Sequence, residues 1–152
     1  MIELIIDRNE KKRIARYILE SLRDWFEIDE SREKYISDCA GWTFLASKEE
    51  GAYTGFLCLK ETGKDTAELA VIGVLKDCQH KGVGRQLLEK AKELALSGGY
   101  SFMQVKTVQM GKYPAYDLTN LFYIACGFKE FEVFPTYWDA ENPCQIYVMS
   151  LK

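Results

Sequence analysis

Apolar residues recur along this chain in two periods, and each change of period marks the border of an element. Residues 2–6, Ile-Glu-Leu-Ile-Ile, are a short apolar run that predicts a first strand. Asp7 follows as a candidate N-cap with Glu10 three residues on, a capping-box arrangement, and Ile14, Tyr17, Ile18, Leu22 and Trp25 then recur at helical spacing. Ser31 to Cys39 predicts a second, shorter helix. Trp42 to Lys48 and Tyr53 to Lys60 are β-rich runs separated by Glu-Glu-Gly-Ala, which predicts a hairpin. A second turn, Thr62-Gly63-Lys64-Asp65, leads into Thr66 to Leu75, the most hydrophobic stretch and hence the expected centre of the sheet.

From about Gly84 to Ser97 the period returns to that of a helix, with Leu87, Leu88, Ala91, Leu94 and Ala95 on one face and Gly98-Gly99 as its stop. Tyr100 to Val108 predicts a strand, and a short helix is expected from about Leu118 to Cys126, ended by Gly127. Leu118, Leu121, Phe122 and Ala125 form its expected buried stripe. Phe128 to Tyr137 and Gln145 to Leu151 close the chain as two strands. Hairpins and helical crossovers both occur in this order, which predicts an α/β chain with a mixed sheet.

Composition narrows the classes. A chain of 152 residues with 47% hydrophobic and 28% charged residues is one domain's worth of ordinary globular protein, able to fold without a metal or disulfide staple. Its net charge of −3 provides no footprint for nucleic acid or an anionic membrane. The longest apolar run, Leu69 to Leu75, is far short of the roughly 20 residues a bilayer requires. The acidic Met-Ile-Glu-Leu-Ile-Ile-Asp start does not make a signal peptide, and Ile2 excludes myristoylation. Five scattered cysteines without a Cys-x-x-Cys pair are expected to be reduced thiols in a cytoplasmic protein, with no metal site. Cys78 and the single histidine, His80, are near in sequence, but no group is in view to orient a Cys–His pair for hydrolysis.

The most informative stretch is Gln79-His80-Lys81-Gly82-Val83-Gly84-Arg85, between the central strand and the Leu87 helix. Its glycines let the backbone approach a ligand closely, and the helix start that follows presents unpaired amides at a positive dipole end. Lys81 and Arg85 add charge, so the turn is a candidate anion site. A dinucleotide fingerprint would need a glycine where Leu87 stands, and a Walker loop would need Gly-Lys-Ser/Thr; neither is present.

Gln79-x-x-Gly82-x-Gly84 resembles the acyl-CoA signature of the GCN5-related N-acetyltransferase (GNAT) superfamily. Two further stretches are similar to that family, Ile72-Gly73-Val74 before the turn and Leu121-Phe122-Tyr123-Ile124-Ala125-Cys126-Gly127-Phe128 in the later helix, and the element order agrees from end to end. The resemblance implies a mixed, largely antiparallel sheet of six to seven strands, about four flanking helices and a bulged central strand. It implies acetyl-CoA as cofactor, with the diphosphate against Gln79, His80, Lys81, Gly82, Val83, Gly84 and Arg85, and the acetyl carbonyl and pantetheine against the amides of Ile72, Gly73 and Val74. Tyr123, turned about 100° from Phe122 on the helix, takes the role of the acid that protonates the leaving thiolate. Glu68, eleven residues before Gln79, stands where the histone-acetylating branch has its general base.

Relatives often carry an asparagine seven residues before the tyrosine, contacting CoA; here that position is Tyr116, and Asn120 or Thr119 could substitute, beside Phe122. The acceptor side implied by the family holds Trp25, Phe26, Glu27, Asp29, Glu30 and Glu33, then Tyr137, Trp138, Asp139 and Glu141, with Tyr116 nearby. Aromatics interleaved with carboxylates suit a cationic amine. The expected reaction is transfer of acetyl to a primary amine of a small molecule or peptide by direct attack in a ternary complex. A CoA-binding sensor that has lost catalysis is the alternative. Dimerisation, common in the family, could use the aromatic C-terminal strands, or these could serve the core.

Overall fold

The most apolar strand does lie in the middle. In a computed structural model that describes residues 1–23, 25, 26 and 28–152, seven strands form one sheet. They are β1 (Ile2–Ile5), β2 (Thr43–Glu49), β3 (Ala52–Gly63), β4 (Thr66–Val74), β5 (Phe102–Val108), β6 (Lys129–Asp139) and β7 (Asn142–Ser150), in the spatial order β1-β2-β3-β4-β5-β7-β6. The helices are α1 (Arg8–Ser21), α2 (Asp29–Asp38), α3 (Val83–Ser97) and α4 (Pro114–Ala125). Among the described residues no helix is long and apolar enough to cross a membrane. The chain gathers into two compact units, residues 1–60 with 70–94, and residues 61–69 with 95–152.

In the first unit, α1 starts where Asp7 accepts a hydrogen bond from the Glu10 amide at 2.8 Å. The Glu10 carboxylate does not close the capping box but pairs with Arg13. Ile14, Ala15, Ile18 and Leu19 are buried on one face, each large aliphatic contributing about 1.5–3 kcal/mol. Tyr17, counted with that face from spacing, is exposed, and Trp25 lies beyond the helix end. Buried Lys11 is the polar exception: its Nζ donates to the Trp42 carbonyl at 2.7 Å, so the ammonium leaves water without losing its partners. The sheet face beneath α1 includes Phe44 and Phe56, stacked at 5.1 Å.

Two glycines set how closely these layers approach. A Cβ on Gly73 of β4 would meet Ile18 Cγ2 and Leu22 Cδ1 at 3.2 Å, so Gly73 leaves room for α1. Sequence reasoning connected it to a bulge or a ligand; the side on which its Cβ would point is filled by the helix. A Cβ on Gly55 of β3 would come within 3.0 Å of the Gly73 carbonyl oxygen and 3.2 Å of Val83 at the start of α3.

In the second unit the first residues of β4 pair parallel with β5, from Thr66↔Phe102 to Leu69↔Val105, and β5 pairs antiparallel with β7. The core here takes Cys144, Ile146, Tyr147 and Met149 from β7, whereas Phe131, Phe134, Tyr137 and Trp138 of β6 are exposed. Of the two uses open to the C-terminal aromatics, the core has only the β7 share.

The expected stripe of α4 is reversed. Leu118, Leu121 and Ile124 are 56%, 54% and 44% exposed, and the residues turned inward are Asn120 and Tyr123. The reason is hydrogen bonding. Asn120 Nδ2 donates to the Val108 carbonyl at 2.9 Å and the Tyr116 carbonyl at 2.7 Å, and its Oδ1 accepts from the Tyr147 hydroxyl at 2.6 Å. Orienting the helix by hydropathy would strand the Tyr147 hydroxyl and the end of β5 without these partners, at about 1–3 kcal/mol for each buried group left unmade. The helix also starts a turn earlier than expected, with Pro114 in its first turn.

Two outcomes follow from this packing. Gly55→Ala is expected to destabilise by about 1–3 kcal/mol, because its nearest neighbour is backbone that cannot rotate away; chemical denaturation measures it, and an unchanged midpoint would remove the claim. Burial pushes the Cys39 and Cys144 thiols up to about 11 and Cys58 well above its ordinary value. In the folded chain these three are therefore protonated and slow toward alkylating reagents near pH 8, and rapid only after unfolding. Peptide mapping of labelled cysteines checks this.

Candidate active site

The turn after β4 is built by hydrogen bonds from the strand outward. The Leu75 amide donates to the Thr54 carbonyl at 2.9 Å, a short 3₁₀ turn follows at Lys76–Cys78, and Gln79 Nε2 donates back to the Val74 carbonyl at 2.9 Å. Gln79 thus fastens the turn to the strand; its side-chain amide is engaged with protein. His80 then has φ +62° and Gly82 φ +87°. Left-handed residues in such a turn bring successive N–H groups toward one side, an arrangement suited to anions, and a non-glycine residue held there is strained. A Cβ on Gly82 would meet nothing within 4 Å, so this glycine serves φ rather than packing. Helix α3 begins at Val83, and its first turn closes with Gln86 N to the Gly82 carbonyl at 3.0 Å. His80, Lys81, Gly82 and Arg85 are exposed. The residues of the turn fit a diphosphate: accessible amides at a helix start with cationic side chains beside them.

Ile72 and Val74 of β4 are half-buried. Nearer the start of the same strand, Glu68 is buried, and its Oε1 accepts from Lys106 Nζ at 2.5 Å. Lys106 lies over the Tyr137 ring at 5.6 Å. Buried Cys144 adjoins the pair; its raised pKa comes first from burial, opposed by Lys106 and reinforced by Glu68.

Tyr123 is 4% exposed and sits in an aromatic cluster, with ring centroids 5.7 Å from Phe122, 5.6 Å from Phe128 and 6.2 Å from Tyr147. Phe122 and Thr119 are half-buried, and Thr119 Oγ1 donates to the Ala115 carbonyl at 3.2 Å. Asn120, expected as a replacement for the CoA-contacting asparagine, is wholly buried with its amide engaged in the three bonds described above, so that expectation is corrected. Burial, and then Glu130, raise the Tyr147 hydroxyl above the ordinary phenol range, which keeps it a hydrogen-bond donor.

Of the expected acceptor residues in the first unit, Trp25 and Phe26 are half-buried against the core, and Phe26 meets Tyr35 edge-on at 5.8 Å. Glu27 lies outside the described residues. Arg32 Nη1 donates to the Phe26 carbonyl at 2.7 Å and Nη2 to Asp29 at 2.5 Å. Glu33 is gripped by Arg16 through two bonds of 2.6 and 2.8 Å, which hold its carboxyl below the usual range. In the second unit Asp139 accepts from the Glu141 and Asn142 amides of its own turn. Trp138 packs edge-on to Tyr137 at 5.8 Å, and Tyr116 to Tyr113 at 6.0 Å. Asp29, Glu33 and Asp139 of the expected acceptor side, and Glu68, expected as the base, are each engaged within the protein.

Sequence reasoning missed Lys106, Arg32 and Tyr147. A signal existed for the first, since a carboxylate in the apolar Ala67-Glu68-Leu69 run needs a cationic partner and few strand positions could supply one.

Comparison with known proteins bears on the whole chain. The model of the Acetyltransferase (GNAT) family matches residues 8–128. No curated protein matches the chain in sequence. Among solved structures, a GNAT-family protein from Desulfovibrio desulfuricans superposes with a TM-score of 0.83 at 21% identity, covering 100% of this chain and 99% of that one. The ribosomal-protein-S18-alanine N-acetyltransferase of Escherichia coli gives 0.78 at 18% identity, covering 100% and 95%. An aminoglycoside 6'-N-acetyltransferase complexed with coenzyme A gives 0.78 at 18%, covering 100% and 97%. At these identities the superpositions speak for the fold, a mixed seven-stranded sheet with four helices. The family match extends from α1 through the turn of residues 79–85 to Phe128, just past α4, and on that match the chain belongs to the GNAT family, acetyltransferases that use acetyl-CoA.

Proposed function

We propose that this chain transfers the acetyl group of acetyl-CoA to a primary amine, on a small molecule or a peptide, by direct attack in a ternary complex. The observation that carries the reading is the turn from Gln79 to Arg85, in which two left-handed residues precede a helix start and a Cβ on Gly82 would meet nothing within 4 Å. Acetyl-CoA supplies an activated acyl carbon and a thiolate leaving group. The amides from His80 to Arg85, with Lys81, bind the diphosphate, and Gln79 keeps the turn on β4. The main chain of Ile72, Gly73 and Val74 receives the acyl carbonyl and pantetheine, and Thr119 and Phe122 of α4 flank the latter.

Amine chemistry sets what the remaining residues must do. A lysine-like amine is an ammonium at neutral pH, and freeing its lone pair costs about 4–5 kcal/mol. Glu68 takes that proton, directly or through water. Tyr123 returns one to the departing sulfur. Trp25, Phe26, Tyr116 and Trp138 offer ring surface to the acceptor. The cysteines among the described residues are all free, which suits a reducing, cytoplasmic setting. The exposed aromatics Phe131 and Phe134 of β6 leave the C-terminal strands suited to a second copy of the chain. A catalytically silent CoA-binding module is the second reading, and it draws on Glu68 being engaged by Lys106 and on the burial of Tyr123.

Acetyl-CoA at a hundredfold excess over its Kd should stabilise the fold by about 2.7 kcal/mol, read as a rise in melting temperature. No rise would sink both readings. A rise with no thiol release, across polyamines, aminoglycosides, amino acids and peptides with free α- or ε-amines, would leave only the silent module. Tyr123→Phe is expected to lower turnover by roughly 10²–10⁴-fold while leaving the acetyl-CoA melting shift in place. Unchanged turnover would remove Tyr123 from the acid role.

A further inference from the structure

Glu68 and Tyr137 together offer an ammonium what it binds best outside water, a carboxylate oxygen and an aromatic face. In this chain the ammonium is its own. Lys106 lies two residues beyond Gln104, the register partner of Glu68, and so projects from the same face of the sheet. Its Nζ is 2.5 Å from Glu68 Oε1 and 5.6 Å from the Tyr137 ring centroid. The two members of the pair are not equally accessible. The Glu68 side chain is 7% exposed and that of Lys106 20%, so a molecule arriving from solvent meets the ammonium, with the carboxylate behind it. Cys144 adds no charge to this balance, because burial keeps its thiol protonated.

We propose that Lys106 determines specificity in acetyl transfer: it fills the cation site made by Glu68 and Tyr137, turns away amines that carry a second positive charge, and favours amines bearing a nearby carboxylate. This rests on the acetyltransferase reading above and names the acceptor class within it. A diamine would bring a second ammonium toward a site already holding one, a like-charge contact in a half-buried setting. An amino acid brings a carboxylate, and the Lys106 ammonium has three N–H donors, one of them engaged by Glu68 Oε1. Within the same unit, the Asp139 carboxylate is also engaged, by the amides of its own turn.

The test uses three amines of one chain length, putrescine, γ-aminobutyrate and butylamine, with thiol release giving kcat/KM for each. The full-length protein is expected to use γ-aminobutyrate at least about tenfold better than putrescine, an ordinary size for one charged contact. Lys106→Met should abolish or invert that ratio with a smaller effect on butylamine, and Lys106→Arg should preserve it. Lys106→Gln, which keeps a donor for Glu68 without the charge, replaces the Met variant should the latter not fold. Preference for putrescine in the parent protein, or a proportionate fall on all three amines in the variants, would overturn the proposal. Without turnover on any amine, the same three are titrated onto the acetyl-CoA-saturated protein by melting temperature. Stabilisation by γ-aminobutyrate that depends on Lys106 supports the proposal, and equal or absent stabilisation overturns it. Absence of an acetyl-CoA shift is read separately, as failure of the donor assignment.

Discussion

Close approach of two backbones is the constraint on which the donor half of this protein depends. The Gly73 carbonyl oxygen occupies space within 3.0 Å of where any side chain at Gly55 would begin, and Gly73 itself admits Ile18 and Leu22 of α1. With both glycines in place, β3 lies close to β4 and to the first residue of α3, and β4 close to α1. The turn of residues 79–85 inherits its position from that packing, since its root is the Thr54 to Leu75 bond and its clasp the Gln79 to Val74 bond. A turn so rooted is organised before any ligand arrives, which lowers the ordering cost of binding.

The second unit is governed by a different demand, the satisfaction of buried polar groups. Asn120 joins the end of β5, its own helix and the Tyr147 hydroxyl, and in doing so sets the rotation of α4. Tyr123 comes inward on the same face as a consequence. The helix turns its leucines outward while Asn120 makes three hydrogen bonds inside, where each buried group left unmade would cost about as much as burying one aliphatic side chain gains.

Much of this was legible in the residues. Element order, the central position of Thr66–Val74 and the helix start behind the glycine turn all follow from local rules: alternation, 3.6-residue spacing and the conformational freedom of Gly82. What was not legible depends on pairing across the fold. Hydropathy counts placed Leu121 in the buried stripe and left Asn120 out of it, because a single sequence does not say which carbonyl or hydroxyl an amide will meet. The same is true of Glu68, whose cost of burial could be foreseen but whose partner, Lys106, is 38 residues away. Gly55 was passed over for a related reason: the need for glycine there comes from strand β4 and helix α3, not from its neighbours in sequence.

Several carboxylates of this chain are paired close to home, which has a consequence for how the protein meets its partners. Arg16 with Glu33, Arg32 with Asp29, and Lys106 with Glu68 are couples a few ångströms apart, and a couple so short has the far field of a dipole, fading well within the ~8 Å screening length of physiological salt. Such pairs guide an approaching molecule little from afar. At these pairs recognition is left to contact, where shape, ring faces and the Lys106 ammonium decide, and the pairs themselves add little dependence of the encounter rate on ionic strength.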